Sequence, residues 1–225
     1  MIPKLVEKFW RGTGRATPRY RDELGEAVSL SRLLNNGPRA VVSGMGRLAF
    51  GYRPKLPWIS YDASEALARI LDPSRSRVLE FGSGMSTAWY AERAARVVAI
   101  ESNRHWYQVG KRNLAGLSNV ELIFAPTREA YLEIPAEDNF DLVIVDGEWR
   151  DECVDIAVKL LAKGGVIFLD NSDKQDLGVG NVALAREKLV DFARRSDLPY
   201  SELTDFAPTA FFVQRALWIG PGAPA

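Results

Sequence analysis

Short apolar runs alternate with longer segments of helical spacing from about residue 57 to the C-terminus. Five of these runs are rich in Val, Ile and Leu and are apolar on both faces, which is typical of strands buried in a parallel sheet. They are Arg77–Phe81, Val97–Ile100, Val120–Phe124, Leu142–Val145 and Val166–Leu169. The alternation predicts an α/β domain over residues 57–225, in which crossover helices join parallel strands.

The segments between and after these strands predict the helices. They cover Thr87–Ala95, Arg104–Leu114, Thr127–Ile134, Cys153–Leu161 and Ala183–Arg195. An earlier helix is expected to begin at a capping residue, Ser60 or Asp62, and to end near Leu71. Two further apolar runs, Tyr200–Thr204 and Phe211–Trp218, are separated by only six residues. Because that gap is too short for a parallel crossover, these two strands are predicted to pair antiparallel.

The first 56 residues have a different pattern and are predicted to form a helical extension. A short amphipathic helix is indicated by apolar residues at helical spacing, namely Ile2, Leu5, Val6 and Phe9. A second helix is predicted over Asp22–Leu34, ended by the breakers at residues 35–38. Residues 1–21 carry six basic side chains against one acidic side chain. Two interpretations stay open for them: a helix docked on its own domain, or peripheral contact with an anionic membrane or partner.

The composition narrows the classes of function. A chain of 225 residues, 47% hydrophobic, can bury one core, and its zero formal net charge gives no general attraction to nucleic acid. Cys153 is the only cysteine and His105 the only histidine, which excludes an intrachain disulfide and a zinc site built on Cys or His. The sequence has no apolar stretch long enough to span a membrane and no secretory signal pattern. We therefore expect a cytoplasmic protein, with its oligomeric state left open.

The strongest candidate for a binding site is the segment Glu80–Gly84, EFGSG, directly after the first predicted strand. Glycine lets the chain turn sharply there and lets a ligand approach the backbone. Glu101 closes the second strand, where a carboxylate can accept two hydrogen bonds from a ribose diol. A dinucleotide site has a third glycine, and that position is Thr87 here. Without Glu101, a turn used only for packing would explain the glycines equally well.

The segments VLEFGSGMST and VVAIES resemble motifs I and II of class I S-adenosylmethionine (SAM)-dependent methyltransferases. The resemblance covers roughly residues 57–218 and is closest to bacterial members whose substrates are mostly unassigned. It implies a Rossmann-like seven-stranded sheet of order 3-2-1-4-5-7-6, with strand 7 antiparallel and helices on both faces. The cofactor would be SAM, and its implied contacts are Glu80, Phe81, Gly82, Ser83, Gly84, Ser86, Thr87, Glu101, Ser102 and Asp146.

Two more strands end in acids: Asp146 follows FDLVIV, and Asp170 with Asn171 follows GGVIFL. These positions are similar to those at which catechol and caffeoyl-CoA O-methyltransferases bind magnesium and gather the acceptor's hydroxyls. The resemblance therefore implies Asp146, Asp170 and Asn171 as ligands of Mg²⁺. A lysine base of those enzymes is replaced by Trp149, with Arg150 next to it. The simpler interpretation is that such carboxylates cap the following helix.

The sequence thus favours transfer of the SAM methyl group to an oxygen of a small molecule or saccharide. The candidate catalytic residues are Asp146, Arg150 and Asp170, as base, metal ligand or anion holder. Aromatic residues near the strand ends, Trp58, Tyr61, Trp106 and Tyr107, are expected either in the core or on the wall of a pocket. Two alternatives remain at this level: a non-catalytic binding module with the same fold, and an NAD-dependent oxidoreductase.

Overall fold

The computed structural model describes residues 18–52, 54–134, 139–174 and 180–224. The predicted amphipathic helix around residues 2–9 lies outside these ranges. Within them, no helix combines the length and the apolar character needed to cross a bilayer.

Seven helices and seven strands are described. The strands are β1 (Arg77–Phe81), β2 (Arg96–Glu101), β3 (Val120–Phe124), β4 (Phe140–Val145), β5 (Leu161–Leu169), β6 (Tyr200–Phe206) and β7 (Val213–Ile219). The helices are α1 (Leu30–Phe50), α2 (Tyr61–Ile70), α3 (Met85–Ala91), α4 (Arg104–Asn113), α5 (Arg128–Leu132), α6 (Arg150–Leu160) and α7 (Val182–Arg195). Every strand predicted from the sequence is present. The bounds of β1 and β3 are as predicted, and β2, β4 and β6 gain one or two residues at an end. In contrast, β5 begins five residues earlier than predicted and β7 begins two residues later.

All seven strands form one sheet of order β3-β2-β1-β4-β5-β7-β6, which confirms the predicted order. The first five strands run parallel to one another, whereas β7 is antiparallel to both β5 and β6. The order reverses between β1 and β4. In an open α/β sheet, ligands bind outside the carboxyl ends of the strands at such a switch point.

The core lies on both faces of the sheet. Alternate strand residues point to opposite faces, so Leu79 and Phe81 pack with α6 and α7, whereas Val78 packs with α2 and α3. Because both faces are covered, the central strands are apolar throughout, as their sequence indicates.

The N-terminal helix differs from the prediction. It was expected at Asp22–Leu34, but α1 begins at Leu30 and continues through Pro38 to Phe50. Ser29 caps its start by accepting a hydrogen bond from the Arg32 amide. Proline costs a helix one hydrogen bond, so tertiary contacts have to hold the interior of α1 in place.

Asn36, nearly two helical turns into α1, supplies two of these contacts. Its side-chain amide donates to Asp62 Oδ1 at 2.7 Å and to Asp205 Oδ2 at 2.9 Å, and so joins α1 to α2 and β6. Residues 22–28 form a turn instead of a helix, with the Asp22 carboxylate accepting from the amides of Leu24 and Glu26. The division into an extension of 56 residues and a domain over residues 57–225 stays a prediction.

Candidate active site

Two glycines bring the loop after β1 against the loop after β4. Gly82 has a φ of +94°, and a Cβ there would lie 2.8 Å from the carbonyl oxygen of Asp146 and from the backbone of Gly147. A Cβ on Gly147 would lie 1.9 Å from the Tyr131 hydroxyl. Both positions therefore require glycine. The close approach places the acid after β4 next to the glycine turn after β1.

Glu80 holds the glycine turn from behind. Its buried carboxylate accepts hydrogen bonds from the hydroxyls of Ser86 and Thr87, the latter at 2.6 Å. The Gly84 amide in turn donates to Thr87 Oγ1 at 3.1 Å. Burial raises the pKa of Glu80 to about 8, although the two hydroxyls oppose this shift. Glu80 thus ties the turn to the first helical turn of α3.

Glu101 ends β2 and faces the open side of the turn. Its Oε1 accepts from the Asn103 amide at 2.7 Å, and its Oε2 accepts from the Ser83 hydroxyl at 3.2 Å. Burial raises the pKa of this carboxyl. One donor on each oxygen fixes the carboxylate, and further lone pairs on both oxygens remain for a ligand.

A cavity of about 400 Å³ lies at the carboxyl ends of β1, β2 and β4. The predicted site residues on its wall are Gly82, Ser83, Gly84, Ser86, Glu101, Ser102, Asp146 and Arg150. The predicted residues that are not on the wall are Glu80, Phe81, Thr87, Asp170 and Asn171. Phe81 is a core residue whose carbonyl accepts from the Asp146 amide at 2.9 Å.

The rest of the wall was not assigned from the sequence. It comprises Trp58, Ile59, Met85, Tyr90, Asn103, Trp106, Tyr131, Ile144, Gly147 and Glu148. Of the four aromatic residues left open above, Trp58 and Trp106 line the cavity. Tyr61 packs beneath α1 and Tyr107 against Phe124 instead.

Tyr90 is the most informative of these additional residues. It stands one helical turn after Ser86 on α3, and that spacing could have indicated it from the sequence. Its side chain is buried, and its hydroxyl has no hydrogen-bond partner among the described residues. A buried hydroxyl on a cavity wall is suited to bonding a ligand, because leaving it unpaired costs free energy.

Arg150 organises the acceptor side of the cavity. Its Nη2 donates to Asp146 Oδ1 at 3.0 Å, its Nε donates to the Gly147 carbonyl at 2.8 Å, and its Nη1 donates to the Asp170 carbonyl. Only 8% of the Arg150 side chain is exposed, compared with 36% of the Asp146 side chain. The guanidinium is therefore fixed in one orientation, and the Asp146 carboxylate stays open to the cavity.

Asp170 is buried behind Asp146. Gln214 Nε2 donates to its Oδ1 at 3.4 Å, and the Asn171 side-chain amide donates to its other oxygen. Burial raises the pKa of Asp170 well above its usual range, with a further rise from the neighbouring Asp146. Burial also raises the pKa of Asp146, but Arg150 lowers it. Two adjoining carboxyls of this kind favour sharing one proton.

These donors do not fit the magnesium site that the resemblance implies. Mg²⁺ requires near-octahedral oxygen ligands, several of them usually water. Here the Asp146 carboxylate is bonded to a guanidinium, and Asp170 with Asn171 lies away from the cavity wall.

Comparisons with known proteins agree with this architecture. Residues 79–172 match the family model of a methyltransferase domain. No curated protein sequence matches the chain. A putative O-methyltransferase from Klebsiella pneumoniae is similar in structure with a TM-score of 0.59 at 19% identity, over 85% of this chain and 100% of that one.

Two further similar structures hold the cofactor or its product. The O-methyltransferase TomG from Streptomyces achromogenes, in complex with SAM, has a TM-score of 0.56 and 23% identity over 81% of this chain and 88% of that one. An O-methyltransferase from Bacillus cereus, in complex with SAH, has a TM-score of 0.59 and 18% identity over 81% and 98%. At these identities the likeness shows the fold. Together with the confirmed strand order, the chain therefore has the fold of these enzymes, and its residues 79–172 match a methyltransferase domain.

Proposed function

We propose that the protein transfers the methyl group of SAM to an oxygen of a small molecule or saccharide. The observation that carries the proposal is a single cavity with the Glu101 carboxylate on one side and the Asp146 carboxylate on the other. Its volume of about 400 Å³ suits a cofactor and a small acceptor group better than a nucleic acid surface. The O-methyltransferases among the similar structures support oxygen as the acceptor atom.

On the cofactor side, each wall residue has a distinct part. The Glu101 oxygens accept from the two ribose hydroxyls, and the loop of Ser83 and Gly84 holds the methionine portion. Trp106, half-buried on the wall, packs against adenine. Glu80 does not contact SAM in this proposal but positions Ser86 and the turn.

On the acceptor side, Asp146 is the base, because among the strand-end acids after β4 and β5 it alone lies on the described cavity wall. The acceptor oxygen attacks the methyl carbon in line, the carbon–sulfur bond breaks, and the electron pair remains on the sulfur of SAH. Asp146 takes the acceptor's proton. Arg150 and Asp170 act through Asp146 as positioning residues, and the Tyr90 hydroxyl donates to the acceptor.

Two measurements test the cofactor and the reaction. Calorimetry with SAM, SAH and NAD in turn should show binding of SAM and SAH only. Incubation with methyl-labelled SAM and a panel of phenols, catechols and monosaccharides should then give labelled product. Binding of NAD without SAM would refute the proposal, and SAM binding without transfer to any acceptor would favour the non-catalytic module. The single buried cysteine is compatible with the cytoplasm, which is proposed as the site of action.

A pair of variants separates the two sides of the cavity. Asp146→Asn should lower turnover by about 10²- to 10⁴-fold, with SAM affinity changed far less. Glu101→Gln should weaken SAM binding by about tenfold or more, because a charged hydrogen-bond acceptor for ribose is lost. Asp155→Asn removes an exposed carboxylate of α6 that pairs with Lys188 of α7; it is the control and should change neither. Unchanged turnover in Asp146→Asn would remove Asp146 as the base.

A further inference from the structure

The outer face of α1 is apolar along the whole helix. Leu30, Leu34, Val41, Met45 and Leu48 expose between 47% and 78% of their surfaces. At 3.6 residues per turn, these five positions fall within an arc of about 60° and form one stripe along the helix. An exposed apolar patch of this extent on a folded domain marks an interaction surface.

The face of α1 next to the stripe packs against the rest of the protein. Asn36, Gly37, Ala40 and Gly44 are buried against the domain. The arginines of α1 also bond to the domain: Arg32 Nε to Asp62 Oδ2 at 2.7 Å, Arg39 Nη1 to Glu65 Oε1 at 2.8 Å, and Arg47 Nη1 to Thr209 Oγ1 at 3.2 Å. The stripe itself therefore has no charged side chain.

We propose that the stripe binds the same stripe of a second copy of this chain, with the two α1 helices antiparallel. The spacing of the apolar residues is self-complementary about a twofold axis between Pro38 and Val41. That axis sets Leu34 opposite Met45 of the second copy and Leu30 opposite Leu48. A symmetric dimer requires such a self-complementary surface.

The available surface is large enough for this pairing. The five stripe residues and the neighbouring Val42 offer on the order of 650 Å² of exposed apolar surface, which approaches the roughly 800 Å² that each partner contributes to an ordinary stable interface. A cleft of about 220 Å³ next to the stripe, walled by Leu33, Val41 and Phe206, adds an apolar recess for a partner side chain.

A membrane fits this face less well than a second copy does. Helices that lie in a bilayer surface combine their apolar face with basic residues that are free to contact lipid headgroups. The three arginines of α1 are instead bonded to Asp62, Glu65 and Thr209. A protein surface of the same apolar character is the better match.

Sedimentation of the full-length chain tests the dimer directly. The wild type should sediment as a dimer at micromolar concentration. Leu34→Glu and Met45→Glu should each raise the dimer dissociation constant by more than about tenfold, because each dimer then buries two charges. Asn35→Glu adds the same charge on an exposed position beside the stripe and should leave the dimer intact. The far-UV circular dichroism spectrum and SAM binding should be unchanged in all three variants, which shows that each variant remains folded.

Cysteine cross-linking tests the antiparallel register. Mixed Leu34→Cys and Met45→Cys chains should form a disulfide-linked heterodimer. Leu34→Cys alone should not cross-link, because its two copies would lie about 16 Å apart along the helices. The buried native Cys153 does not interfere. A monomeric wild type, a dimer unaffected by Leu34→Glu, efficient cross-linking of Leu34→Cys alone, or vesicle binding by a monomer would each overturn the proposal.

Discussion

At each end of the cavity one carboxyl lies on the wall and a second lies behind it, and the two pairs of carboxyls have different hydrogen-bond partners. At the ends of β1 and β2, Glu80 and Glu101 accept hydrogen bonds from hydroxyls and a backbone amide. At the ends of β4 and β5, Asp146 and Asp170 adjoin the Arg150 guanidinium. Neutral donors surround the first pair, whereas a fixed cation accompanies the second.

The difference indicates what each end can bind. Among the described residues the first end has no cation beside its acids, so the positive groups of SAM can approach the Glu101 carboxylate on the cavity wall. The second end already contains a positive charge. A further cation would be repelled there, whereas a neutral hydroxyl can approach Asp146 and lose its proton. The asymmetry therefore matches a cationic donor on one side and an uncharged acceptor on the other.

Removing the Arg150 guanidinium should have the largest effect on stability, because it removes the cation that distinguishes the acceptor end from the cofactor end. Arg150→Met leaves buried carboxyls without their partner, and we expect the free energy of unfolding to fall by about 3 to 5 kcal/mol. Urea denaturation measures it. Arg128→Met is the matched control: that arginine forms an exposed pair with Glu152, so its loss should change the free energy of unfolding far less. Equal losses in the two variants would show that Arg150 is not a structural counter-ion.

The two ends of the cavity also differ in how many of their contacts could be predicted from the sequence. The cofactor end lies within residues 80–103, so one strand–turn–helix–strand pattern contains nearly all of its contacts. Thr87 was assigned to that pattern, although its function as a partner of Glu80 needed the structure. The fold was predicted equally well: local alternation indicated the parallel strands, the short gap before β7 indicated the antiparallel pair, and the family resemblance implied the strand order.

The acceptor end joins residues that are far apart in the chain. Trp58 lines the cavity, and Gln214 bonds both the Trp58 carbonyl and Asp170. No spacing in the sequence indicates those contacts. The predicted extent of α1 was wrong for a related reason. Pro38 is a local signal that predicts a helix end, but the helix continues because Asn36 is held by Asp205 of β6, which is 169 positions away in the chain.

A second prediction concerns the pH dependence of the cofactor end. Glu80 has a folded pKa of about 8 against an ordinary value of 4.5, so the native state keeps a proton that the unfolded chain releases between these values. Its contribution to stability is complete below pH 4.5 and is lost as the pH rises toward 8. The expected slope is at most roughly 1.4 kcal/mol per pH unit.

Glu80→Gln should remove this part of the slope, because glutamine has a similar size and no titrating proton. Urea denaturation from pH 5 to pH 9 should give a flatter profile for the variant than for the wild type. Glu92→Gln, at an exposed carboxyl at the end of α3, is the control and should keep the wild-type profile. Parallel profiles for Glu80→Gln and the wild type would mean that Glu80 is already ionised in the folded protein.

The smallest expected effect is that of Mg²⁺ on the wild-type protein. It tests directly whether Arg150 already supplies the cation of the acceptor end. Because Arg150 bonds to Asp146 and to two backbone carbonyls, Mg²⁺ would have to displace a guanidinium with three acceptors. Mg²⁺ should therefore leave the melting temperature of the wild type unchanged, and chelation by EDTA should alter methyl transfer less than about twofold. Arg150→Ala removes the competing cation, and in that variant Mg²⁺ should raise the melting temperature by binding the exposed carboxylates. A wild type that Mg²⁺ stabilises and EDTA inactivates would show that the acceptor end, like the cofactor end, lacks a sufficient cation of its own.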